Sequence, residues 1–235
     1  MISEFFADGM IPWSPILLSL KVAGLATAAS FCAGVAAAWL LARRRSPFSA
    51  VLDAMCTLPM ILPPTVLGYY LILLVGRRGV IGPWLAECGI NLIFSWQGAV
   101  VAATVVVFPL IYKSARAALE LVDPRLENAA RTLGASEWKV FWQVSLPLAW
   151  RGIVAGGMLA FARGMGEFGA TLFLAGNYAG ITRTVPIAIY FEWMSGNIDV
   201  ALFWTAVILV FSFVVILFIN LWGRRTTKYR RRTEE

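Results

Sequence analysis

Val200–Gly223 reads VALFWTAVILVFSFVVILFINLWG, twenty-four residues without a charged side chain. About 20 apolar residues in a helix, rising 1.5 Å each, cross the roughly 30 Å hydrocarbon core of a bilayer. No water reaches the backbone there, so such a run pairs its amides within itself and is helical. Three further uncharged runs pass the same test: Val22–Ala42, Ala54–Gly76 and Gly89–Tyr112. The first is expected to begin near Pro15, with Lys21 reaching back toward the near surface. A fifth run, roughly Trp150 to Leu174, contains Arg163 and Glu167 and is expected to turn them inward.

The whole chain agrees with these runs. Of 235 residues, 60% are hydrophobic and 14% charged, and the mean hydropathy is +0.75. Soluble domains carry about a quarter charged residues, so an ordinary soluble globule and a disordered chain are excluded. There is no histidine, which removes imidazole bases, relays and metal ligands. Cys32, Cys56 and Cys88 form no CxxC pair, and two of them sit in apolar runs as small hydrophobes. The N-terminal segment carries Glu4 and Asp8 but no basic residue, and the apolar run behind it is longer than a signal-peptide core. It is read as a retained span.

Basic residues orient the spans. With the N-terminus outside, fifteen of the twenty lysines and arginines fall inside: Arg43–Arg45, six between Lys113 and Arg151, and six between Arg224 and Arg232. Only Arg77, Arg78 and Arg183 fall outside. Trp39, Trp150 and Trp222 mark inner ends, and Trp13, Trp96 and Trp204 outer ends. The expectation is an all-α polytopic membrane bundle of about five spans, N-terminus out and C-terminus in. It forms one domain over residues 1–235, with a cytoplasmic loop at 113–150. The net charge of +7 lies on the inner face, where the tail meets anionic membrane lipid. No nucleic acid is called for.

That loop is patterned. Asp123-Pro124 reads as an N-cap with proline at the first helical position. A short helix through Glu127, Asn128, Ala129 and Ala130 is stopped by Gly134. Ser136 is expected to cap a second helix with Trp138, Phe141, Trp142 and Ser145 on one face, ended by Leu146-Pro147. By pattern alone this is an amphipathic hairpin on the membrane. The spacing Ala129-Ala130, three residues, Gly134, nine residues, Val144, one residue, Leu146-Pro147 resembles the "EAA" loop of ABC importer permeases. Asn128 stands where that loop usually has glutamate, with Glu127 just before it, and Val144 replaces the usual isoleucine.

The resemblance runs from about Trp13 to Arg225. Leu62-Pro63-Pro64-Thr65-Val66-Leu67-Gly68-Tyr69-Tyr70, Gly76-Arg77-Arg78-Gly79, Phe161-Ala162-Arg163, Gly166-Glu167-Phe168-Gly169-Ala170-Thr171 and Ala175-Gly176-Asn177 are similar to molybdate transporter permease subunits. The Gly166–Ala170 stretch is shared with sulfate/thiosulfate permeases, and tungstate is a near-identical dianion. The resemblance implies a homodimeric permease in a bacterial or archaeal plasma membrane. It also implies a periplasmic or tethered oxyanion-binding protein outside and two copies of a separate ATPase docked on Glu127–Pro147. The ATPase would hydrolyse Mg-ATP, and the permease itself would bind no cofactor. No GxxxxGK[ST] phosphate loop occurs in the chain.

Other features carry two readings each. Pro59, Pro63 and Pro64 interrupt the second span, as a pathway element including Thr65 or as a tolerated kink. Arg163 and Glu167, four residues apart, form an anion-attracting site or an internal ion pair. The glycines from Gly152 to Gly169 serve close packing, or a seam or gate. Arg77 and Arg78 meet a binding protein or are solvated. Thr184–Phe191 is too short to span and is expected at the surface or re-entrant near the outer mouth. A membrane enzyme would need a convergent reactive set, which Lys21, Arg163 and Glu167 do not make. A channel leaves the helix–glycine–helix loop unexplained, and a secondary carrier usually shows paired repeats that five spans do not divide into.

Overall fold

The computed structural model describes residues 13–44 and 46–231, with side chains up to Leu221. Glu4, Asp8, Arg45, Trp222 and the side chains of the basic tail lie outside the described residues. The described chain is helical throughout, without strands. Helix α1 is Ser14–Leu41, α2 Pro47–Ile61, α3 Pro64–Val75, α4 Gly82–Glu87, α5 Trp96–Glu120 and α6 Pro124–Thr132. Then come α7 Glu137–Val140, a π-turn Phe141–Ser145, α8 Leu146–Met165, α9 Gly169–Ala175, α10 Val185–Met194 and α11 Ile198–Arg231. Four helical stretches are long and apolar enough to cross a membrane, and the bent pair α2–α3 reaches the same length and hydropathy only when its two halves are taken together.

The centre is α1, α5 and α8 packed on one another. Lipid gives no hydrophobic drive between helices, so close approach of small residues matters most. On α1 the buried row is Ala23, Ala26, Ser30, Gly34 and Ala38. A Cβ at Gly34 would lie 3.2 Å from the Tyr112 backbone nitrogen, and one at Gly156 would lie 2.3 Å from the Ser114 Cβ. Gly152, Gly157 and Gly164 of the fourth span likewise face neighbours within the chain, at Ala118, Phe31 and Ala23. Ser30 Oγ adds a hydrogen bond to the Thr104 carbonyl, 2.9 Å.

Three spans differ from their expected limits. The second starts at Pro47, capped by Ser46, whose hydroxyl accepts from the Ser49 amide while Ser49 Oγ accepts from the Ser46 amide. It breaks at Leu62-Pro63, where α2 and α3 diverge by 116°. Leu62 is extended because it precedes a proline, whereas Pro59 is accommodated inside α2. The third begins at Trp96, capped by Ser95, and runs past Tyr112 to Glu120. Its inner turns hold α2: Asp53 Oδ1 accepts from Tyr112 Oη at 2.7 Å and lies 2.6 Å from Arg116 Nη1, with Lys113 Nζ at 3.1 Å. The fourth is continuous from Glu137 but ends at Met165, and α9 resumes after a break at Gly166–Phe168.

Leu146-Pro147 does not end the second helix of the patterned loop, whose two short helices α6 and α7 form a knob. Pro147 lacks an amide, and the π-turn absorbs it: the Leu146 amide bonds to the Phe141 carbonyl five residues back, and the helix continues into the span. The two ends of the bundle are distinct. Arg43, Glu127, Trp39 and Trp138 meet at one. At the other, Lys21 Nζ stands 3.4 Å over the Trp96 ring, and Ser19 Oγ accepts from the Val185 amide at the start of α10. The Thr184–Phe191 segment thus falls in the short helix α10, Val185–Met194, with Thr184 as its N-cap, at the end away from the arginine cluster.

Candidate functional site: a glycine-turned knob and two crossed helix breaks

The knob is built from its caps inward. Asp123 Oδ1 accepts from the Arg125 amide at 2.8 Å, and Pro124 occupies the first turn. Gly134 adopts φ +82°, and the amides of Gly134 and Ala135 return to the carbonyls of Arg131 and Ala130. This is the left-handed termination that glycine supplies at least cost. Ser136 is extended before α7, but its side chain makes no capping bond. The surface so formed is apolar at its tip: Leu133 is 88% and Leu126 49% exposed. Asn128 and Ala129 are exposed beside them and Ala130 is half-buried. Val144, Leu146 and Pro147 do not share this surface; they lie in the π-turn and the first turn of α8.

Asn128 turns to its own helix, its Oδ1 accepting from Arg131 Nη1 at 2.8 Å. Arg131 also grips Glu137, with Nε–Oε1 2.6 Å and Nη2–Oε2 2.9 Å. That hydrogen-bonded carboxylate pushes the guanidinium further above its ordinary value, so Arg131 is always charged. Glu127 points the other way and is buried. It sits in the wall of a cavity of about 330 Å³ with Arg43, Arg44, Arg131, Glu137 and Ser145. Beside it Trp39 packs on Trp138 and Phe141, centroids 5.6 and 4.9 Å apart. Arg43 and Ser145 had no signal of their own in the sequence. One reads as a positive-inside anchor and the other as one more residue of an aromatic helix face.

The two helix breaks meet. A Cβ at Gly169 would lie 2.7 Å from the Pro64 Cβ, and one at Gly68 would lie 2.8 Å from the Phe173 Cβ, so α3 and α9 cross in near-backbone contact. The crossing sets Pro64 and Thr65, with Pro63 just before them, against Gly169, two residues after Glu167. Pro63, Pro64 and Thr65 are exposed on the α3 side. On the other, Arg163 Nη1 is 2.8 Å from Glu167 Oε2, and Glu167 Oε1 accepts from the Ala170 amide at 3.1 Å. The pair is lopsided: the carboxylate side chain is 1% exposed and the guanidinium side chain 40%. Glu167 lies beyond the last turn of α8, so the pair bridges the break. Arg77 and Arg78 are exposed in the turn after α3. Among the described residues no cluster of His, Cys, Asp and Glu could hold a metal ion.

A polytopic helical bundle with crossed discontinuous spans and an apolar-tipped knob at its arginine-rich end is a transporter's membrane subunit. Residues 30–228 match the family model described as binding-protein-dependent transport system inner membrane component, and the chain belongs to that family. It is 52% identical over 179 residues to the molybdenum transport system permease protein ModB of Escherichia coli (strain K12), covering 76% of this chain and 78% of that protein. It is 42% identical over 223 residues to the putative molybdenum transport system permease protein YvgM of Bacillus subtilis (strain 168), covering 93% of each. The sulfate transport system permease protein CysW of Synechocystis sp. (strain ATCC 27184 / PCC 6803 / Kazusa) is 37% identical over 204 residues, 87% of this chain and 74% of that protein. In fold, the chain superposes with TM-score 0.71 and 18% identity on a bacterial alginate ABC transporter solved in complex with an alginate pentasaccharide-bound periplasmic protein. That superposition covers 97% of this chain and 83% of the other.

Proposed function

We propose that this chain is the permease subunit of an ATP-driven importer for a tetrahedral oxyanion, molybdate. It works by alternating access as a homodimer in a bacterial or archaeal plasma membrane. The observation that carries the importer reading is the knob: α6, turned back on α7 at Gly134, presents the exposed Leu126 and Leu133 at the arginine-rich end, a shape made to be held by another protein. Two copies of a separate ATPase are its partners, and hydrolysis of Mg-ATP happens there. Molybdate over sulfate is supported by the higher identity to the molybdenum permeases than to the sulfate permease.

The pathway is proposed at the crossed breaks. An arginine side chain two-fifths exposed within a span is costly against lipid and normally faces protein or a water-filled cavity. Arg163 therefore marks the side turned to the second copy and to the path, with Pro63, Pro64 and Thr65. Its counter-charge Glu167 is hidden behind it, so the surface offered to a passing dianion is cationic.

Reconstituted with its ATPase and binding protein, the chain is expected to accumulate molybdate and tungstate in vesicles only when ATP is supplied, with little sulfate uptake. Uptake that continued on an ion gradient without ATP would place it among carriers and end this reading. Arg77 and Arg78 are proposed to meet acidic residues of the binding protein. Arg78→Glu should then raise the binding-protein concentration for half-maximal uptake about two- to fivefold at low salt, and less at high salt. Identical curves at every salt concentration would dismiss that contact.

A further inference from the structure

Glu127 is the most buried charge of the knob, and docking a partner gives it no task. We propose that its carboxylate is the pin that yokes the knob to the first and fourth spans, a positioning residue for coupling rather than part of the surface the ATPase touches. This rests on the importer reading above.

Three elements meet on this one group. Oε1 lies 2.8 Å from Nη2 of Arg43, two residues beyond the end of α1. The same oxygen accepts from Ser145 Oγ at 2.7 Å, and Ser145 closes the π-turn that leads into α8. Oε2 lies 3.5 Å from Nη2 of Arg131 on its own helix. Arg43 Nη2 also donates to the Val122 carbonyl, 3.3 Å, just before the knob's N-cap. The end of α1 is thus tied to both sides of the knob's root, and through Ser145 the root is tied to the shaft of α8.

Burial makes the link stiff. The side chain is 4% exposed, and pulling a buried carboxylate from its cation leaves an uncompensated charge. An exposed ion pair of the same geometry gives way to water and salt. The π-turn belongs to the same device. It adds one residue to a helical turn and so rotates the downstream helix α8 by about 100° relative to an uninterrupted helix. Here that turn ends with Ser145 against the carboxylate. A stroke on the knob therefore moves the inner ends of α1 and α8 together. Without the pin, the knob can be held and pushed while it swings on its own root.

The test uses the complete transporter in vesicles, reading three quantities: ATPase captured, ATP hydrolysed, and molybdate moved per ATP. Glu127→Gln keeps the shape and the Ser145 contact but loses the charge. It is expected to capture the ATPase and hydrolyse ATP while molybdate per ATP falls roughly fivefold or more. Arg43→Gln, which approaches the same link from α1 and spares the knob, is expected to show the same fall. The double variant should lose clearly less than the sum of the two singles, because both remove the Glu127–Arg43 interaction. Glu120→Gln, an exposed carboxylate paired with Arg116, should keep the normal ratio. A normal ratio in both Glu127→Gln and Arg43→Gln, or additive losses in the double, would overturn the pin. So would loss of ATPase capture in Glu127→Gln, which would return the residue to the docking surface. A wild-type chain that captured no ATPase would instead remove the importer reading, and the pin with it.

Discussion

Gly134→Leu is expected to insert its spans normally and to lose ATP-driven uptake. Gly134 holds φ +82°, and a Cβ there would meet nothing within 4 Å. The damage is therefore conformational rather than steric. An L-residue in the left-handed region costs about 1–2 kcal/mol, which placed on the docked geometry alone weakens it by roughly tenfold. The chain escapes that cost by letting φ relax, which swings α6, with the exposed Leu133 at its end, away from α7. Asparagine tolerates the left-handed region better than leucine, so Gly134→Asn should recover much of the uptake. The check is molybdate uptake and ATPase co-purification for both variants, beside cysteine accessibility at the span ends. Normal uptake by the leucine variant would break the link between this turn and coupling.

The largest stability effect is expected at the bridge across the fourth-span break. Arg163→Gln leaves the Glu167 carboxylate, 1% exposed, without its counter-charge. Because Arg163 is partly exposed, the full penalty of a buried pair does not apply; leaving the buried carboxylate without its partner costs about 1–3 kcal/mol, and it also loosens the start of α9, whose Ala170 amide the same carboxylate receives. Thermal unfolding of the purified protein in detergent should shift down strongly. Arg163→Gln combined with Glu167→Gln should recover a large part of the shift, since two neutral amides can pair where a lone carboxylate cannot. Glu167→Gln alone should lower assembly more than it alters the order of molybdate, tungstate and sulfate uptake. A stable Arg163→Gln variant, or a changed oxyanion order at normal assembly in Glu167→Gln, would contradict the bridge.

Much of the bundle is legible from local pattern. Uncharged runs of span length locate α1, α5 and α11, and prolines announce that the second span is interrupted. The limits are less legible, because side-chain caps set them. Ser95 starts α5 seven residues after the apolar run does, and Ser46 starts α2 seven residues before its run. Local pattern carries the fourth span unbroken through Gly166 and stops the knob's second helix at Pro147, and the structure does neither. Both differences have one origin: local rules weigh a glycine or proline by propensity, while neighbours decide what it does. Gly169 lies against Pro64, and α9 fits there only as a separate segment; Pro147 follows a π-turn that lets its helix pass.

Composition and charge alone determined that the chain lives in a bilayer, which runs are long enough to cross it, and that the Gly134 turn lies on the arginine-rich side. Those properties are sums over consecutive residues, and transfer into lipid acts on just such sums. Tertiary structure alone decided that the Pro63 and Gly166 breaks cross, and that Glu127 faces inward to Arg43 and Ser145 while Asn128 faces out. Adjacent residues of one helix point about 100° apart, and which of the two meets the bundle depends on how the knob docks onto α1 and α8, elements distant along the chain.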